Sequence, residues 1–108
     1  MEDINMVTLT GEIVSVWKGI SKNSMPYLIL RLKVDGSKPF FVSVLQFGEE
    51  SSFNKGDRVY VEGRLRESKG SEKYPKTLEI LAEFIQIEGD PYFQGKEERL
   101  KNMDMEEI

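Results

Sequence analysis

The run Lys55-Gly56-Asp57-Arg58-Val59-Tyr60-Val61-Glu62-Gly63-Arg64-Leu65-Arg66 constrains the fold more than any other part of the chain. Lys55-Gly56-Asp57 is a turn signal, because Gly accepts φ > 0 and Asp can hydrogen-bond its own backbone. Beyond it, Val59, Val61 and Leu65 fall on one side of a strand, and Arg58, Tyr60, Glu62, Arg64 and Arg66 on the other. One face is dry and the other wet. Gly63 belongs to the dry side, where a missing side chain lets a strand coil sharply or a second backbone come close, as at the corners of a small barrel.

Four further strands can be read around this one. Residues 7–17 are β-branched and aromatic, with Val7, Leu9 and Ile13 on one parity and Val14 and Val16 on the other. The phase slips after Gly11, which predicts a bulge there and one long strand shared between two parts of a curved sheet. Residues 18–24 read as a loop from their Gly, Ser and Asn content. Residues 27–34 alternate most cleanly: Leu28, Leu30, Leu32 and Val34 point one way, and Tyr27, Ile29, Arg31 and Lys33 the other. Asp35-Gly36-Ser37-Lys38-Pro39 forms a hairpin turn into residues 40–47, where Phe40, Val42 and Val44 oppose Phe41, Ser43, Leu45 and Phe47. The connector over 48–54 has room for a turn or two of helix at most, and Phe53 in it is a candidate plug for one end of the core. A loop over 67–75 leads to a fifth strand over 77–88, with Leu78, Ile80, Ala82 and Phe84 on one parity and Leu81, Ile85 and Ile87 taking the other later. Five short strands with Gly-marked bends and no helical period favour a closed all-β barrel.

Composition bounds the rest. At 108 residues and 39% hydrophobic content the chain is sized for one core. It contains no Cys and no His, which removes disulfides, Cys–His and Ser–His nucleophile arrangements and the usual zinc ligands. No phosphate-binding Gly-Lys loop is present, and pairs such as Glu49-Glu50 lie in polar segments where carboxylates do no acid–base work. The expectation is a binder with no metal or cofactor, not an enzyme. No basic and apolar leader opens the sequence and no apolar run approaches membrane-spanning length, so a cytoplasmic protein with no membrane association is expected. The net charge of −4 is unevenly placed: residues 1–88 carry 12 Lys and Arg against 13 Asp and Glu, and residues 89–108 carry 3 against 6. A near-neutral body can still present a basic stripe, and the stripe sets the potential that a phosphate backbone meets.

The order of strand, bulge, strand, hairpin, strand ending Phe47-Gly48, connector, then Lys55-Gly56-Asp57-Arg58-Val59-Tyr60-Val61-Glu62-Gly63-Arg64-Leu65 resembles bacterial single-stranded DNA-binding proteins. The resemblance implies an OB-fold domain over residues 5–88; the residues themselves give it a short connector between strands three and four and leave an acidic C-terminal tail over 89–108. It further implies single-stranded DNA as partner, a homo-oligomer, nucleoid association, and work in replication, recombination or repair. Two features depart from the family: the connector is shorter than its usual helix, and Gly70 lies near the place of an aromatic often found after Arg66.

Binding single strands without reading their sequence needs flat aromatic faces for bases and cations that track phosphates. Tyr27, Arg31 and Lys33 lie on the outward parity of the second strand and Phe41 and Phe47 on that of the third, where the family's base-stacking aromatics fall. Trp17 is expected at the mouth of the first loop, and Tyr74 is a second loop aromatic. Arg64, Arg66 and Lys73 add charge along the fourth strand and its loop. The bland alternatives are packing for the aromatics and a solvated face for the cations. Two rival functions also stand: an RNA-binding module of the tRNA-anticodon type, and a protein-interaction barrel of a replication assembly. In the tail, Phe93, Leu100 and Met103 could form a packing stripe. Its acidic end, Met103-Asp104-Met105-Glu106-Glu107-Ile108, could instead recruit replication or repair proteins or compete with DNA for the basic groove.

Overall fold

A computed structural model describes residues 2–48, 52–73 and 75–89. They form five strands: β1 (Val7–Ile20), β2 (Pro26–Val34), β3 (Phe40–Phe47), β4 (Arg58–Glu67) and β5 (Leu78–Ile87). The sheet closes in the order β1-β2-β3-β5-β4, with β4 returning to β1. All neighbours are antiparallel except β3 and β5, which pair in parallel at Val44 with Ile80 and Leu45 with Leu81. Closure is least complete between β3 and β5, which pair at those two positions only, so the rest of β3 is paired on its β2 side alone. Among the described residues no helix is long and apolar enough to cross a membrane.

The long first strand serves two parts of the sheet, as its change of phase predicts. Val7 to Glu12 pair with β4, and Glu12 to Ile20 pair with β2. The bulge itself falls between Ile13 and Ser15, three residues later than the glycine that signalled it. Gly11 instead packs against the Lys33 carbonyl, 2.9 Å from where a Cβ would stand. The loop expected over 18–24 is shorter as well. β1 runs on to Ile20, opposite Pro26, and the turn is closed by the Ser21 N–H donating to the Met25 carbonyl at 2.8 Å.

The barrel interior takes Ile13 from β1, Leu28, Leu30 and Leu32 from β2, Val44 from β3, Val59 and Val61 from β4, and Ile80 and Ala82 from β5. Burying each of the larger side chains is worth roughly 1.5–3 kcal/mol relative to exposure. Phe53, from the connector, is 8% exposed and joins the same core, so it plugs the barrel end where β3 finishes and β4 begins. The turn before β4 is tied to the β1 bulge: Gly56 N–H donates to the Ile13 carbonyl and Ile13 N–H to the Asp57 carbonyl, both at 2.8 Å. Asp57 also accepts from the Asn54 N–H at 2.9 Å.

Gly63 marks the sharpest corner. The β4–β5 register slips between Glu62, opposite Phe84, and Gly63, opposite Ala82, leaving Glu83 unmatched. That extra residue explains why β5 buries Ile80 and Ala82 before the slip and packs Ile85 and Ile87 against the core after it, while Phe84, on the parity of Ile80 and Ala82 by sequence, turns to the outer side; Leu78, at the strand's start, is exposed. A Cβ on Gly63 would collide with the Leu81 carbonyl oxygen and reach 2.9 Å from the Ala82 Cα. Leu65 keeps the inward parity opposite Ile80 but reaches the barrel rim, and it is exposed, not dry as its parity predicts.

Candidate nucleic-acid interface

The outward parity of β2 and β3 is the reverse of the one that fills the core, and register places the expected residues on it in rows. Gly19, Tyr27 and Phe47 form one row across β1, β2 and β3. Trp17, Ile29 and Leu45 form the next, continued by Leu81 and Arg64. Ser15, Arg31 and Ser43 form a third, with Lys33 opposite Phe41 beyond them. Phe41 and Phe47, six residues apart on one strand, are therefore separated by about 20 Å along the face.

The side chains organise around the two phenylalanines. Phe47 stands against Tyr27 with ring centroids 6.2 Å apart and planes inclined at 60°. Gly19 makes room for this pair, since a Cβ there would run into the Tyr27 ring. The Arg66 guanidinium lies 6.0 Å from the Phe47 centroid. At the other end, the Arg31 guanidinium lies 5.9 Å from the Phe41 centroid and donates to the Ser43 hydroxyl at 3.1 Å. Phe41 and Phe47 are exposed, Tyr27 is half-buried, and Trp17 is 70% exposed. Trp17 does not sit at a loop mouth: because β1 continues past it, it lies on the sheet face opposite Ile29.

The cations differ in what already holds them. Lys33 faces Asp35 at 3.8 Å and Arg64 faces Glu83 at 3.7 Å, both pairs well exposed. Such pairs are worth about 0–1 kcal/mol, so a phosphate can replace the carboxylate at little cost. Arg31 has a neutral partner in Ser43. Arg66 is bound to Glu79 at 3.0 Å, and the Glu79 side chain is 12% exposed. Lys73 is exposed in the β4–β5 loop. Tyr74 and the tail from residue 90 lie outside the described residues.

Two features escape a reading of the sequence. Glu79 gives no sign there of its partner thirteen residues earlier; the only available signal is that a hairpin between β4 and β5 brings them opposite. Tyr60 and Phe84 form a second aromatic contact, centroids 6.2 Å apart, on the outer side of β4 and β5. The Tyr60 hydroxyl donates to Glu62, and Glu83 and Glu88 lie nearby in sequence on β5 and just past it. A carboxylate-rich surround suits a phosphate backbone poorly.

No family model matches the sequence, and no curated protein matches it. Among solved structures, the fold is similar to the dimeric structure of the N-terminal domain of the PriB protein from Thermoanaerobacter tencongensis. The TM-score is 0.64 and the identity 21%, over 77% of this chain and 94% of that one. With the strand order above, that likeness makes the described part of the chain a five-stranded OB-fold barrel.

Proposed function

We propose that this chain binds single-stranded DNA with little sequence preference, in the manner of bacterial single-stranded DNA-binding proteins. Bases stack on Phe41 and Phe47, with Trp17 and Tyr27 beside them, while Arg31, Lys33 and Arg64 meet the phosphates. The observation that carries this reading is the pair of exposed phenylalanines on one outward strand face, each with a guanidinium about 6 Å from its ring. Stacking contributes about 1–3 kcal/mol per base. Two or three bases thus supply on the order of 2–9 kcal/mol, and a micromolar dissociation constant needs about 8. Over most of that range stacking falls short, and phosphate contacts supply the remainder, which makes the cations part of the mechanism.

The binding unit is residues 5–88, and residues 89–108 are an acidic appendage that recruits replication or repair proteins or competes for the groove. Self-association fits the same reading, and the structurally similar domain is described as dimeric. The chain acts as a binder with no cofactor, in replication, recombination or repair, within the nucleoid. A second reading, a docking surface for a protein partner, is favoured by one observation: Ile20 and Met25 at the β1–β2 turn, and Trp17 on the sheet face before it, are large, apolar and exposed.

Competition between poly(dT) and structured tRNA for the purified protein separates these. Preference for poly(dT) is expected. Preference for tRNA would move the assignment to RNA, and binding of neither would leave the protein-docking surface.

A further inference from the structure

Glu79 is a carboxylate on the outward side of the sheet that the proposed function assigns to a polyanion. It lies opposite Arg66 in the β4–β5 register, accepts from the Arg66 Nε at 3.0 Å, and its side chain is only 12% exposed. The other carboxylate–cation pairs near the interface, Lys33 with Asp35 and Arg64 with Glu83, are 3.7–3.8 Å long, with carboxylates 61–67% exposed. Water and salt screen those pairs, and their cations exchange partners freely. The Glu79 charge is screened far less. Its guanidinium partner is the same one that lies 6.0 Å from the Phe47 ring, so the chain Tyr27–Phe47–Arg66–Glu79 is continuous.

We propose, building on the single-strand reading above, that Glu79 is a positioning residue that acts through Arg66 as a built-in phosphate surrogate. Its carboxylate occupies the Arg66 guanidinium and keeps it against Phe47. Arg66 then supports the stacking ring without serving as a full phosphate contact, and a passing phosphate meets a neutralised pair where the sequence presents a cation. Affinity is thereby held below what the cation inventory would give. Arg31, whose partner is the neutral Ser43 hydroxyl, carries no such brake. The device sets how easily a bound strand is released, since one potential ionic contact is withheld.

The test uses the full chain, a labelled oligo(dT) and a salt series, comparing wild type with Glu79→Gln. Gln keeps an oxygen for Arg66 to bond and removes the charge. The variant should bind severalfold more tightly at low salt, and its log affinity against log salt should steepen by about 0.7, the increment for one added phosphate contact on a single strand. Adding Arg66→Gln to Glu79→Gln should return the slope to the wild-type value. A variant with unchanged affinity and slope, or with weaker binding, would overturn the proposal while leaving the single-strand reading in place. If neither protein binds oligo(dT), the reading beneath it falls as well.

Discussion

Tyr27 and Phe47 are direct cross-strand partners on β2 and β3, their ring centroids 6.2 Å apart. A ring braced by a neighbour loses less freedom when a base stacks on it, so the contact pre-organises the face. The brace depends in turn on Gly19, whose missing side chain leaves space for the Tyr27 ring. Gly19→Ala should therefore displace Tyr27 and weaken oligonucleotide binding, by up to about 1–3 kcal/mol if a whole stacking contact is lost. Because only the tip of a side chain must move, the melting temperature should stay nearly constant. An unchanged affinity would mean that Tyr27 does not support the stacking surface.

Gly63→Ala meets backbone, not a mobile side chain. Its Cβ would press on the Leu81 carbonyl and the Ala82 Cα at the point where β4 and β5 change register. Forcing atoms into such a site costs about 1–3 kcal/mol. Urea denaturation should show the midpoint lowered with its slope unchanged; a midpoint equal to wild type would contradict the close approach.

Phe53→Ala tests the plug. The residue belongs to no strand, yet it is buried with the barrel core. Truncation should cost about 3–5 kcal/mol, as for other buried phenylalanines. A loss below about 1 kcal/mol would place Phe53 outside the folded unit.

Arg31→Gln probes the phosphate contacts. With a neutral partner and an exposed position, Arg31 is available to a phosphate without breaking an ion pair. Its loss should flatten the salt dependence of single-strand binding by about 0.7 in log–log slope. A slope that does not move would make Arg31 a support for Phe41 and nothing more.

The barrel was legible wherever one face is dry and the other wet. Leu28, Leu30 and Leu32 declare the core side of β2, and the opposite side then follows for Tyr27, Arg31 and Lys33. Gly63 could be read as a corner because it interrupts the apolar side of an otherwise regular strand. Irregular backbone was harder. Gly11 signalled the bend of β1, but the bulge falls at Val14, where the Gly56–Asp57 turn hydrogen-bonds to Ile13. Lys18 and Gly19 look like loop residues by type, yet pairing with Leu28 and Tyr27 holds them in the strand. Glu79 was invisible as part of the site because its role depends on a partner in another strand. Parity gave its side of the sheet; only three-dimensional placement gives the half-buried ion pair with Arg66.

Phe41 and Phe47 carry the central claim, and single-alanine variants of each test it most directly. Both side chains are about half exposed on the outward parity of β3, so neither truncation should disturb the core. Titration of labelled oligo(dT) into wild type, Phe41→Ala and Phe47→Ala at one fixed salt concentration should show each variant weaker by about 1–3 kcal/mol, with melting temperatures close to wild type. Wild-type affinity in both variants would contradict the account, because the bases would then be stacking elsewhere or not at all.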